Sequence, residues 1–185
     1  MAMTAFQDLK YAQWFRGADV DGDGFITQKD VRLMSGRYIA ARDTAPDSAT
    51  GRRLTEAMDD FWAHVIAPMD QDGDGKVDLR EMTEGFKRAL TDRALAPQQT
   101  GPATDLFFDL ADLNADGVID QAEFQQMFGR VADVPGEDCA AVFAALDRNG
   151  SGGLDRAEFH QALQEFFYGT DPDAPATHLF GRVDA

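Results

Sequence analysis

The sequence predicts an all-α fold, with two pairs of helix–loop–helix units, a short β-ladder inside each pair, and a C-terminal extension on a compact globule. Three observations carry that expectation. One twelve-residue pattern is written four times, as 19-DVDGDGFITQKD-30, 70-DQDGDGKVDLRE-81, 112-DLNADGVIDQAE-123 and 147-DRNGSGGLDRAE-158. Apolar residues recur at helical intervals on both sides of every copy. Each copy also places an aliphatic residue eighth (Ile26, Val77, Ile119, Leu154), where its backbone can pair with the same position of a second loop.

The elements follow in order. Tyr11, Trp14 and Phe15 mark the helix entering the first loop, and Val31 and Met34 the helix leaving it. The segment 43-DTAPDSATG-51 is turn-forming, with Pro46 suited to starting the next helix. Trp62, Val65 and Ile66 mark the second entering helix, whose last turn Pro68 should disturb, and Met82 and Phe86 the second exit. In 91-TDRALAPQQTGPA-103, Pro97, Gly101 and Pro102 are expected to prevent one continuous helix between the halves. Phe107, Phe108 and Ala111 enter the third loop, and Phe124 and Phe128 leave it. Val142, Phe143 and Leu146 enter the fourth, and Phe159 and Leu163 leave it. Gly169, Pro172 and Pro175 end the last helix. Leu179 and Phe180, with Phe167, are expected to fold back as a strap over an apolar groove, because an exposed apolar cluster is costly. The expected divisions are residues 1–92 for the first pair, 93–168 for the second, and 169–185 for a tail packed on the body.

Each loop has an acid first, oxygen-bearing side chains third and fifth, Gly sixth and an acid twelfth. A hard divalent cation takes six to eight oxygens, and a twelve-residue loop can supply them from positions 1, 3, 5, 7, 9 and 12, with the seventh giving its backbone carbonyl. The predicted ligands of the first loop are Asp19, Asp21, Asp23, Phe25 through its carbonyl, and Asp30. Those of the second are Asp70, Asp72, Asp74, the Lys76 carbonyl, Asp78 and Glu81. The third offers Asp112, Asn114, Asp116, the Val118 carbonyl, Asp120 and Glu123. The fourth offers Asp147, Asn149, Ser151, the Gly153 carbonyl, Asp155 and Glu158.

These loops with their flanking helices resemble the EF-hand, and the resemblance covers nearly the whole chain. The long first interval and the residues beyond the fourth hand look like calerythrin and the sarcoplasmic calcium-binding proteins. That resemblance implies a compact calcium-binding protein of buffering character with Ca²⁺ in up to four sites. Many members carry one degenerate hand, often the second; here the second loop has five acids, so that detail does not transfer. The first loop ends in Asp30 where the others end in Glu. Asp is one carbon–carbon bond shorter, so it reaches the ion with one oxygen, which suits Mg²⁺, or its helix moves inward. The fourth loop, with three acids, is expected to bind more weakly than the second.

Composition agrees. Against 17 Lys and Arg stand 33 Asp and Glu, for a net charge of −16, and sixteen of those acids lie in the four loops. Such a field repels nucleic acid and anionic membranes and attracts cations. One cysteine, Cys139, cannot form an intrachain disulfide, and no apolar run is long enough for a leader or a membrane span. A cytoplasmic monomer is expected, and the 13 Arg against 4 Lys, with abundant Ala, suit a GC-rich bacterial genome. His64, His160 and His178 form no catalytic motif, and no phosphate cradle is visible, so no enzyme is expected. The leading function is a calcium buffer or transporter; the alternative is a sensor that grips a protein partner on binding Ca²⁺. Of seven Met, Met1 and Met3 are terminal, whereas Phe numbers 14, which suits a fixed interior better than an adaptable groove.

Overall fold

Residues 5–91, 96–131 and 136–181 are described by the structure, a computed structural model, and helices flank all four loops. Helices α1 (Ala5–Ala18) and α2 (Gln28–Ala41) bracket the first, and α3 (Ala49–Phe61) and α4 (Leu79–Thr91) the second. Helices α5 (Ala96–Ala111) and α6 (Gln121–Phe124) bracket the third, and α7 (Gly136–Leu146) and α8 (Arg156–Tyr168) the fourth. The eighth-position residues pair as expected. Strands β1 (Val118–Asp120) and β2 (Gly153–Asp155) run antiparallel with Ile119 opposite Leu154. Ile26 and Val77 form a single bridge, exchanging N–H···O bonds of 2.8 and 3.0 Å. All four side chains are completely buried, so each ladder is also the point where two loops reach their core.

The chain divides into two compact units, Trp14–Ala103 and the combination of Met1–Gln13 with Thr104–Ala185; the boundary falls within α1. In the first, Ile26, Val31, Met58, Ile66, Val77 and Met82 are buried, and Trp14 meets Phe86 edge-on at 5.8 Å. In the second, aromatic rings dominate: Phe124 lies 4.5 Å from Phe128 and 5.6 Å from Phe143, and Phe108 lies 5.8 Å from Phe159. No helix among the described residues is long and apolar enough to cross a membrane.

Two helices change their winding: α6 passes directly into a π-helical segment (Gln125–Val131), and α3 changes before its loop. Ahead of Pro68, α3 passes into a π-helical turn (Trp62–Ile66) and then a 3-10 turn (Ala67–Met69). Proline has no N–H and its ring crowds the carbonyl four residues back, so a wider turn before it and a tighter one around it accommodate the ring. The altered turn leaves Trp62 and Val65 half-buried and puts Phe61, Ile66 and Met69 inside. One expectation is corrected: α5 runs from Ala96 through Pro97, Gly101 and Pro102 without a break. Pro97 and Pro102 each remove one N–H donor, which the helix tolerates without a break. Residues 92–95, where any interruption between α4 and α5 would lie, fall outside the described residues.

After α8 the chain turns at Gly169, where a Cβ would stand 2.4 Å from the Glu165 carbonyl oxygen. A 3-10 turn (Pro175–His178) follows, with Thr177 Oγ1 donating to the Asp171 carbonyl at 2.9 Å. Leu179 is 1% exposed, and the Phe180 ring lies 4.7 Å from Phe166 and 5.6 Å from Phe128. Helix α1 holds this end of the chain from the other side. Lys10 Nζ donates to the carbonyls of Gly169 (2.7 Å) and Glu165 (3.3 Å), Tyr11 Oη to that of Phe167 (2.8 Å), and Gln13 Nε2 to that of Phe180 (2.6 Å). The Phe167 carbonyl is one that the last turn of α8 exposes, whereas that of Glu165 also accepts the Gly169 N–H at 2.8 Å.

Candidate metal sites

Each loop is folded around its own acids. The first-position carboxylate accepts backbone N–H groups from within the loop: Asp19 from Gly22, Asp23 and Gly24 (2.9, 3.1 and 2.9 Å), and Asp70 from Gly73 and Gly75 (2.7 and 2.9 Å). Asp112 and Asp147 accept from Gly117 and Gly152 at 2.9 and 2.8 Å. Those sixth-position glycines, with Gly24 and Gly75, have φ between 83° and 90°, a conformation that a Cβ disfavours. The fourth position is left-handed as well, and Ala115 adopts it at φ 59° where the other loops have Gly. Fifth-position oxygens accept the seventh residue's N–H: Asp23 from Phe25 (3.0 Å), Asp74 from Lys76 (2.9 Å), Asp116 from Val118 (3.0 Å) and Ser151 from Gly153 (3.4 Å).

The twelfth-position carboxylates are all buried and close the loops. Glu81 accepts from Gln71 and Asp78, Glu123 from Leu113, Asn114 and Asp120, and Glu158 from Arg148, Asn149 and Asp155, all between 2.9 and 3.2 Å. Asp30 does the same with a shorter side chain, accepting from Val20 (3.1 Å), Asp21 (3.2 Å) and Thr27 N (3.0 Å) and Oγ1 (2.6 Å). The ninth-position acids turn toward the exiting helices: Asp78, Asp120 and Asp155 accept the N–H of Glu81, Glu123 and Glu158 at 2.7–2.9 Å. Positions nine and twelve thus form a reciprocal cap, a role legible in the Asp-x-x-Glu spacing but overlooked when the same residues are read as ligands alone.

The structure brings Asp19, Asp21 and Asp23 together, with one carboxylate oxygen of each within 4.8 Å of the others, and Asp70, Asp72 and Asp74 likewise. Three carboxylates so close repel one another unless a cation lies among them, and an all-oxygen donor set suits a hard divalent ion. In the third loop Asn114 Nδ2 donates to Asp116 Oδ2 at 3.0 Å, and in the fourth Ser151 Oγ donates to the Gly153 carbonyl at 2.8 Å, so the corresponding oxygens are neighbours there too. Backbone N–H groups, those of Gly75 and Gly73 foremost, hold the Asp70 carboxyl below the ordinary carboxylate range. A hydrogen bond from Lys29 does the same for Asp21.

Seventh-position residues meet across each loop pairing. The Lys76 ammonium stands 4.7 Å from the centre of the Phe25 ring, and Val118 covers Gly153 so closely that a Cβ there would lie 2.3 Å from Val118 Cγ1.

The EF-hand family model matches four segments, residues 11–34, 68–87, 104–128 and 140–163, and each contains one whole loop. A rice protein (Oryza sativa subsp. japonica) named "Probable calcium-binding protein CML16" is 28% identical over 141 residues, 76% of this chain and 69% of that protein. The sarcoplasmic calcium-binding protein of Perinereis vancaurica tetradentata is 28% identical over 119 residues, 64% of this chain and 66% of its own length. Among solved structures, a sarcoplasmic calcium-binding protein from amphioxus superposes with a TM-score of 0.77 at 22% identity, covering 98% of this chain and 99% of that one.

Proposed function

The chain belongs to the EF-hand family, and from that premise we propose that it is a cytoplasmic calcium buffer or carrier with one Ca²⁺ site in each of its four loops. The side chains of positions 1, 3, 5 and 12 and the seventh carbonyl are the ligands of each site. Asp78, Asp120 and Asp155, committed to the helix caps, act on the ion through water. The first site is the least calcium-selective and accepts Mg²⁺, because Asp30 has the least reach. The named relatives are calcium-binding proteins, which supports the ligand.

The observation that carries buffering over sensing is the packing of Leu179 and Phe180. A sensor offers an apolar groove to a partner helix when calcium binds. Here Phe180 lies against Phe128 and Phe166, and Leu179 is buried, so the chain's own end occupies the place a partner would take. Burying one large apolar side chain contributes about 1.5–3 kcal/mol, enough for two to hold a short segment against its ordering entropy. Calorimetric titration with Ca²⁺, with and without millimolar Mg²⁺, counts the sites. A hydrophobic dye tests the role: the intact calcium-loaded protein should bind little, and removal of residues 170–185 should raise binding sharply. Strong calcium-dependent dye binding by the intact chain, unchanged by the truncation, would make the protein a sensor.

A further inference from the structure

The eleventh position of the loops supplies no ligand, yet it divides the two pairs. It is Lys29 and Arg80 in the first and second loops, and Ala122 and Ala157 in the third and fourth. Both alanines are exposed, so a long side chain would fit there as well. Lys29 leaves 69% of its side chain exposed and still returns its ammonium to Asp21 Oδ2 at 2.5 Å, a third-position oxygen of its own loop. Arg80 is looser, 3.9 Å from both Asp78 and Glu81 and 3.6 Å from Glu84, which lies beyond the loop. Lys29 occupies the first turn of α2, where the helix dipole disfavours a cation. The helix therefore gives no reason for a lysine, and its contact is with the ion-binding cluster.

We propose that Lys29 is a tethered competitor for the first loop's cation, setting that site's affinity below what its four acids would give. The inference rests on the calcium reading of the loops. A divalent ion that takes Asp21 as a ligand must displace the ammonium, and the ammonium is attached to the same loop at high effective concentration. Because both competitors are cations acting on one exposed carboxylate, added salt should weaken the lysine's hold. The third and fourth loops, with Ala122 and Ala157, have no such competitor at this position and should fill ahead of the first.

The test is a Ca²⁺ titration of the full chain, followed through the amide signals of Gly24 for the first loop and Gly117 for the third. Lys29→Met keeps the apolar stem and removes the charge. It should tighten the first loop about two- to fivefold at low salt, the range of an exposed ion pair, and leave the third loop unchanged. The gain should shrink near 1 M salt, where the screening length is about 3 Å. Lys29→Arg should behave as the native chain, and Ala122→Lys should weaken the third loop. Arg53→Met removes an equal charge from an exposed position on α3 and should do nothing comparable. An unchanged first loop in Lys29→Met, or an equal gain in Arg53→Met, overturns the proposal while leaving the calcium reading intact. A native Gly24 signal indifferent to Ca²⁺ overturns both.

Discussion

Asp30 accepts from the amides of Val20 and Asp21 as the Glu side chains accept from theirs, so a carboxylate one carbon–carbon bond shorter, about 1.5 Å, still closes its loop. The clustering of acids in the first two loops was legible, because oxygen-bearing residues recur there at fixed intervals. The reach of Asp30 was not, because it depends on where a helix sits rather than on what the loop contains. Gly153 was likewise read only as a carbonyl donor, although its lack of a side chain serves Val118. Gly153→Ala should destabilise the protein by about 1–3 kcal/mol, the usual effect of forcing an atom into a filled space. Adding Val118→Ala should restore most of that loss in denaturant unfolding. A single mutant as stable as the native chain would show that Val118 moves aside freely.

At the scale of the elements, helical periodicity placed a helix on both sides of every loop, and Phe108, Phe124, Phe143 and Phe159 are inside as it predicted. It failed at Trp62 and Val65 because a π turn shifts the face by a residue, and periodicity assumes 3.6 throughout. The contact between α1 and the end of α8 left no periodic trace, since its acceptors are backbone carbonyls. Its centre is Lys10, fully buried and with no carboxylate among its described contacts, and burial lowers its pKa to about 8 from 10.5. Between those two values the unfolded chain keeps a proton that the folded chain has released, so stability should rise with pH through that window. Burial pushes Tyr11, Tyr38 and Cys139 upward, which favours the folded chain's protonated form and pulls stability down at higher pH. The comparison with Lys10→Met isolates the lysine: its melting temperature should lack the rise that the native chain shows above pH 8. Parallel profiles would mean that Lys10 keeps its ordinary proton affinity.

For the whole molecule, a net charge of −16 with sixteen acids in the loops predicts a metal-dependent fold. Each site filled at a hundred times its dissociation constant adds about 2.7 kcal/mol. Thermal melts in chelator and in Ca²⁺ should therefore differ on the order of 10 °C or more. Coincident melts would leave the EF-hand loops without their ions. A different consequence follows from the donors on α1, whose acceptors in α8 and beyond lie 155 to 167 residues further along the chain. Residues 14–103 form their unit from one unbroken stretch, whereas residues 1–13 belong with 104–185. A chain emerging from the ribosome can complete the first of these while it is still being made, but its opening helix waits for the closing segment. That long-range closure is slow, because the entropy of the intervening loop is lost before any contact rewards it. Until that closure Tyr11 and its neighbours lack their partners, so the exposed step in folding is the docking of α1 against α8 and the segment after it.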